Sequence, residues 1–443
     1  MNKLRAALNL KAAKNKWGTI LGWAMFDWAN SAYALVIAVA IFPSYFLEIA
    51  SDSLNVFGLQ MTDSTLFAWS ISFSYLVVAV LSPLLSGIAD YGGKRKRFMG
   101  FFTTIGGLAC ISLVLFTNMQ TLWIGVAGFI LATIGFAGGI VFNNSYLPVI
   151  TTEDKYDWAS AIGFALGFLG SVMLLFVNLV VIQNYEWFGL KDTQDAVLIA
   201  FAMVGLWWIG FAQIPMRKLP DDNPQPLGNQ AMRKGYQELV KVAKVVWADR
   251  SILRYLTAFF LLNAGVQAVL FLASAFAKKE LLFETSDLIL LILVLQVVAI
   301  IGALLSAWTS KHLGNRYTLI ILMVIWTVVC LIAYNVYDKG TFYYLAAFVG
   351  MVMGGTQSLT RSTYAKFIPE DTEDTASFFS FYDVTDKVST VFGTFIFGIV
   401  EQLTGNMRYS VLTLTSLFIL SLILLFFFVK IRAVKVASAT PAG

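Results

Sequence analysis

Polar residues punctuate this chain rather than alternate with apolar ones. Apolar runs fill 20–46, 66–89, 98–116, 122–147, 158–182 and 195–215, and then 251–277, 287–309, 317–336, 342–367, 379–403 and 410–430. Each approaches or exceeds the ~20 residues a helix needs to cross hydrocarbon. Inside a bilayer every backbone polar group must be satisfied within the segment, so the runs predict helices. The first run is too long for a signal-peptide core and holds Asp27 and Asn30, so it predicts an uncleaved first helix. A polar segment, 216–250, divides the runs six and six. It opens with Pro220, Pro224 and Pro226, which predict an extended stretch. Met232, Tyr236, Leu239, Val240, Ala243, Val246 and Trp247 follow at helical spacing among Lys and Arg, the pattern of an amphipathic helix on a membrane surface. The expected division is 1–216, a linker at 217–250, and 251–443.

Composition agrees. Of 443 residues 58% are hydrophobic and 13% charged, whereas soluble domains carry about 25% charged residues. The net charge of +5 sits in short loops and does not point to nucleic acid. With both termini cytoplasmic, 24 Lys and Arg fall inside and five outside (Lys191, Lys278, Lys279, Lys339, Arg408); Arg361 and Lys387 remain within spans. That bias sets the expected orientation. Cys110 and Cys330 lie in apolar runs and are expected as core residues. His312, the single histidine, is expected in a loop and cannot build a metal site alone. No cofactor is expected.

A shift of 217 residues superposes Gly138 on Gly355, Ser145 on Ser362, Ala159 on Ala376, Ser160 on Ser377 and Phe164 on Phe381. The expected fold class is therefore an all-α polytopic membrane protein, with twelve transmembrane helices in two parallel six-helix pseudo-repeats. That is the architecture of the major facilitator superfamily.

The loop Ser86-Gly87-Ile88-Ala89-Asp90-Tyr91-Gly92-Gly93-Lys94-Arg95-Lys96-Arg97 resembles the cytoplasmic signature of that superfamily, with Ser86 in place of its first glycine. Glycine permits the tight turn, and Asp90 suits a helix N-terminus and basic neighbours. Asp90, Gly93, Lys94 and Arg95 are the expected cytoplasmic gate. The second-half counterpart, 310–316, lacks the acid, so gating is not expected there.

Ionisable residues within spans are costly and ordinarily face a cavity. Asp27, Asn30 and Ser31 share one helix face, as do Gln357, Thr360 and Arg361, and Asp383, Asp386 and Lys387. Asn143 and Asn144 join them, and the 217 shift sets Asn144 opposite Arg361. A shared hydrated cavity is expected. Its rival is a closed ion-pair network, for example Asp386 with Arg361, and Asp383 could be merely interfacial. The row Gly163, Gly167, Gly170 is read as helix packing through small residues.

Three stretches carry a closer resemblance: 22–33 (GWAMFDWANSAY), 144–148 with 163–170, and 354–362 continuing through 378–382 to Lys387. They resemble the autophagy-related vacuolar effluxer family and its bacterial relatives. The departure is Asp386, where a small residue is expected before the lysine. The resemblance implies export of small solutes; the fungal member returns amino acids, notably leucine-like ones, to the cytoplasm. The short loops favour a bacterial cytoplasmic membrane. The expected protein is thus an alternating-access carrier, a monomer in the lipid bilayer, with a small polar or zwitterionic solute and protons as coupling ion. Arg361 and Lys387 would attract a carboxylate, and Asp27 would bind an amine or carry a proton. Asn30, Asn143, Asn144, Gln357, Tyr382 and Asp386 complete the expected solute site. The rivals are a multidrug or lipid-like exporter and a transporter-shaped receptor without flux. One histidine and no acidic metal cluster disfavour a membrane enzyme, and no G-x-x-x-x-G-K loop offers ATP binding.

Overall fold

Capping residues and glycines at the ends of the apolar runs fix where each helix starts and stops. The computed structural model describes residues 14–50, 54–56, 59–222, 231–369 and 372–429. Helix α1 (Trp17–Ile49) is α-helical over Trp17–Ala32, π-helical over Tyr33–Ile41 and α-helical again over Phe42–Ile49. A two-stranded hairpin, β1 (Leu54–Val56) with β2 (Leu59–Met61), joins it to α2 (Asp63–Gly92). Then come α3 (Arg95–Ser112), α4 (Leu122–Ser145), α5 (Tyr156–Gln183), α6 (Thr193–Lys218) and the linker helix α7 (Ala231–Ala248). The second half holds α8 (Arg250–Leu281), α9 (Thr285–Leu313), α10 (Asn315–Tyr334), α11 (Lys339–Ala365), α12 (Thr375–Thr404) and α13 (Met407–Phe427). The side chains of Asp192, Asp249, Asp338 and Asn406 accept backbone N–H groups at the starts of α6, α8, α11 and α13. Gly93 ends α2 in the left-handed region, at φ 56°.

Among the described residues twelve helices therefore span, six on each side of α7. Ten are long and apolar enough to cross a bilayer on composition. The other two, α11 and α12, carry Arg361 and the Asp383, Asp386, Lys387 group, whose polarity faces inward. The start of α1 is tied to the end of α4 (Asn15 N–H to Ile150 O, 2.8 Å), and the start of α8 to the end of α13 (Arg254 to Phe428 O, 3.3 Å). Both ends of the described chain thus lie on one face, here termed the terminal face. Helices α9 and α11 pack backbone against backbone, because a Cβ on Gly302 or Gly354 would overlap the carbonyl of Met351 or Ala299.

Small sequence expectations are corrected. His312 sits in the last turn of α9, its ring 4.8 Å from that of Trp308, because α9 runs past its apolar stretch. Pro224 and Pro226 lie outside the described residues. The amphipathic helix forms as α7, with Val242 and Val246 buried and Met232, Tyr236 and Trp247 exposed. It docks on α2 where Gly87 meets Gly235; a Cβ on Gly87 would overlap the Gly235 carbonyl. Lys241 pairs with Asp374 at the start of α12 (2.7 Å), so α7 touches both halves. Gly87→Leu is expected to undock α7 at a cost of about 1–3 kcal/mol for overpacking. Hydrogen exchange across α7, followed by mass spectrometry, should accelerate; unchanged protection would place the docking elsewhere.

Candidate substrate cavity and gate

Between the halves lies a cavity of about 330 Å³. From Asp27 and Arg361 at its floor it extends to Val39, Ile71, Ala273 and Ile292, in the parts of α1, α2, α8 and α9 remote from the terminal face. Eight of the nine expected solute residues line it: Asp27, Asn30, Asn144, Gln357, Arg361, Tyr382, Asp386 and Lys387. Asn143 does not, and this corrects the expectation. Neighbouring helical positions point about 100° apart, so Asn143 and Asn144 cannot share a face. Asn143 instead stands behind Asp27, donating to its Oδ1 at 3.4 Å, while its carbonyl accepts the Trp23 indole N–H at 2.7 Å.

Arg361 is 3% exposed and fully engaged with the first half. Its Nη1 donates to Asp27 Oδ2 (2.9 Å) and Asn144 Oδ1 (3.2 Å), its Nε to Ser160 Oγ (2.9 Å) and its Nη2 to the Ser160 carbonyl (2.9 Å). The Trp23 and Phe164 rings flank it at 4.8 and 4.2 Å. The pseudo-repeat partners Asn144 and Arg361 therefore touch one another. Arg361 ties α11 to α1, α4 and α5, leaving it little capacity for a solute carboxylate in this conformation. The glycine row packs α5 on α1: Gly167 meets Ser31 and Gly170 meets Trp28. Gly163 does more, since a Cβ there would overlap Asp27 Oδ2 and stand 2.7 Å from Arg361 Nη2. Gly163→Ala is expected to split the pair, cost about 1–3 kcal/mol and suppress transport. A thermal melt beside a flux assay checks this, and wild-type values in both would remove that role for Gly163.

The second charged group is on α12. Lys387 Nζ lies 2.5 Å from Asp386 Oδ2 and 3.5 Å from Asp383 Oδ1. Asp386 Oδ1 accepts the Asn263 amide at 2.8 Å. Tyr382 stacks on Phe259 (4.4 Å) with its hydroxyl 3.2 Å from Thr360 Oγ1. The pairing of Asp386 with Arg361 does not occur, because Arg361 is taken by Asp27 of the first half and Asp386 by Lys387 of its own helix. Asp383 is 3% exposed and lines the cavity, so it is not an interfacial residue.

At the terminal face the halves are shut by two latches. Asp90, at the end of α2, accepts the N–H groups of Ala376 (3.2 Å) and Ser377 (2.7 Å) and the Ser377 hydroxyl (2.7 Å). These are first-turn donors of α12, unpaired within the helix and at its positive end. Arg95 adds a bond to Thr375 Oγ1 (2.6 Å) and an ion pair with Asp222 (2.9 Å), and lies 5.3 Å from the Tyr146 ring. Lys96 bonds Asp221 at 2.6 Å, which holds that carboxyl below the usual carboxylate range. Gly93 supplies the turn. Lys94 enters through its backbone, its N–H reaching Ala89 O at 2.9 Å; among the described residues no bond of its side chain crosses to the other half.

The second latch contradicts the expectation for 310–316. That loop lacks an acid, but Asp157 in the first turn of α5 supplies one from the opposite half. Asp157 accepts from Lys366 (2.7 Å), Asn315 (2.7 Å) and Ser310 (3.1 Å). Lys366 also donates to Asn315 Oδ1 at 2.6 Å. Sequence reasoning missed both Asp157 and Lys366. One signal was available: the 217 shift carries Asp157 onto Asp374, the acid at the start of α12.

This geometry has relatives. A family model described as vacuole effluxer Atg22-like matches residues 14–159 and 156–438. The chain belongs to that family. Among relatives, the uncharacterized MFS-type transporter YxiO of Bacillus subtilis is 29% identical over 413 residues, covering 91% of this chain and 93% of that protein. Autophagy-related protein 22 of Saccharomyces cerevisiae is 25% identical over 439 residues, covering 85% and 81%. Among solved structures, the major facilitator transporter FucP in its outward conformation superposes with TM-score 0.68 at 13% identity, covering 93% of this chain and 98% of FucP. A bacterial homologue of the iron transporter ferroportin, outward-facing, gives 0.63 at 14% identity, covering 92% and 98%. At such identities the structural likeness bears on fold alone, which is that of the major facilitator superfamily.

The Atg22-like chain is thus a multi-pass membrane transporter and not an enzyme. The cavity between the halves extends toward the face remote from the termini, and Arg361 with the two latches ties the halves together on the terminal side.

Proposed function

We propose that this Atg22-like transporter moves a small amphipathic zwitterion by alternating access, the fitting case being an amino acid with an apolar side chain. The two halves, 1–216 and 251–443, rock as bodies about the cavity, with the linker 217–250 between them. The terminal face is the cytoplasmic one, on the charge bias of its loops, and the membrane is a bacterial cytoplasmic membrane. The observation that carries this reading is a single cavity with a charged, amide-rich floor and an apolar mouth. Gln357, Tyr382 and Lys387 suit a carboxylate end, and Phe136, Phe168, Leu270 and Leu295 suit an apolar side chain. A cavity of this kind favours such a solute over a large hydrophobic drug or lipid. The family description is vacuole effluxer, and release from a vacuole delivers solute to the cytoplasmic side. The buried Asp27–Arg361 pair, which ties the halves together, is the proposed seat of coupling to a proton gradient.

The test is transport of a metabolite mixture by purified protein in liposomes, with and without an imposed pH gradient, read by mass spectrometry. Selective movement of amino acids with apolar side chains is expected, faster with the gradient. Movement of lipophilic compounds alone, or of nothing, would remove the reading; indifference to the gradient would remove only the proton.

A further inference from the structure

The charges around the cavity do not balance. Among the described residues, three carboxylates (Asp27, Asp383, Asp386) and two cations (Arg361, Lys387) line it, leaving one negative charge. Asp27 and Arg361 cancel at 2.9 Å, and Arg361 spends its remaining donors on Asn144 and Ser160. The surplus therefore belongs to α12. There Lys387 is drawn to Asp386 at 2.5 Å, and the other Asp386 oxygen takes the Asn263 amide at 2.8 Å. Asp383 receives the 3.5 Å approach of Lys387 to Oδ1 and has the Ser82 hydroxyl of α2 beside it, but its Oδ2 accepts no hydrogen bond of normal length, although the residue is 3% exposed. A buried carboxylate oxygen without such a bond, within a spanning helix, is costly to maintain.

A second observation points the same way from the opposite half. Asn30 on α1 is 2% exposed, lines the same cavity and has no donor for its Oδ1. Gln296 on α9 likewise lines the cavity with an unpartnered Oε1. Among the described residues, every buried, unpartnered side-chain polar atom belonging to a cavity-lining residue is an acceptor: Asn30 Oδ1, Gln296 Oε1 and Asp383 Oδ2. Excess negative charge together with unmet acceptors calls for a positive group rich in N–H donors. A primary ammonium offers three donors and no acceptor. An anion would meet Lys387 only after displacing Asp386.

We infer that the α12 wall of the cavity is an ammonium subsite in which Asp383 takes the charge, so that the solutes carried bear a free primary ammonium group. This rests on reading the cavity as the solute site, and it moves recognition of the amine from Asp27 to Asp383. Lys387, relieved by the arriving ammonium, then faces the carboxylate of a zwitterion, one carbon removed from the ammonium. N-acylated or purely anionic analogues are excluded by the same geometry.

The test needs no knowledge of the natural solute. Thr390 lies on α12 beyond Lys387 and lines the cavity, and the native Cys110 and Cys330 are buried, so Thr390→Cys offers a reporter thiol against a quiet background. Its reaction in detergent with trimethylammonioethyl and sulfonatoethyl methanethiosulfonates is compared, each relative to free cysteine. The cationic reagent should be favoured by about tenfold or more, as expected for a charged cleft. n-Butylammonium should protect the thiol and butyrate should not. Asp383→Asn should abolish both the preference and the protection, while Asp383→Glu retains them and guards against a folding artefact. Protection by butyrate, protection by neither probe, or a preference untouched by Asp383→Asn would overturn the subsite. Protection by neither is also the outcome if Asp383 simply holds a proton. Failure of the liposome flux assay would instead strike the carrier reading, leaving this result standing.

Discussion

Arg361→Ala is expected to lower the melting temperature sharply and to abolish flux, while the protein still inserts. The guanidinium makes four hydrogen bonds to the first half and fills the space between Trp23 and Phe164. Its removal strands Asp27, 8% exposed, with only the long 3.4 Å bond from Asn143. Breaking a buried pair from one side costs about 3–5 kcal/mol. Arg361→Lys should rescue little, because an ammonium cannot reproduce the planar fork that serves Asp27 and Ser160 together. The informative control is Asp27→Asn with Arg361→Gln. With no charge stranded, most of the melting temperature should return, yet flux should stay lost. Full recovery of both would reduce the pair to a structural tie.

Removing both latches should reverse which face is closed. Asp90→Ala deletes three hydrogen bonds to the start of α12, whose donors can return to water, so the latch as a unit contributes about 2–3 kcal/mol, as does the second. Asp157→Asn leaves Lys366, itself 9% exposed, with Asn315 alone. The latches share no residue, so their effects should add. A combined loss of about 4–6 kcal/mol is of the size that moves a two-state equilibrium from 1:99 to 99:1. Single-molecule energy transfer between dyes at Lys155→Cys, just before α5, and Lys311→Cys, in the last turn of α9, both at the terminal face, should pass from a high-transfer to a low-transfer population. Each single variant should lie between. High transfer in the double variant would mean that Arg361 and apolar packing close this face unaided.

Much of the fold was legible because the bilayer makes apolar run length the dominant signal. Asp63–Gly92 contains the expected 66–89, and α7 falls where the 232–247 pattern placed it. The ends run longer because caps such as Thr62 and Gly93 lie in the polar flanks. The π-helical turn of Tyr33–Ile41 carries no glycine, proline or polar mark and left no trace in the sequence. In the site, the 217 shift set Asn144 opposite Arg361 across one central space, and in the structure the two touch, since equivalent helices meet across the pseudo-axis. Which acid pairs with Arg361 was not legible. Asp27 is 334 positions away, and only the packing of both α1 and α11 on α5 decides in its favour over Asp386. Asp157 and Lys366 read as ordinary loop charges, because a latch and a solvated loop have the same composition until the halves are brought together.

Two distances taken together address alternating access most directly. Spin labels at Lys155→Cys and Lys311→Cys report the terminal face. A second pair, at Glu48→Cys on α1 and Lys278→Cys on α8, reports the far face; pulsed dipolar spectroscopy reads both in liposomes. Two populations are expected, one short at the terminal face and long at the far face, the other reversed, with Asp90→Ala enriching the second. One fixed pair of distances, or two faces that lengthen together, would contradict a carrier that opens one side at a time.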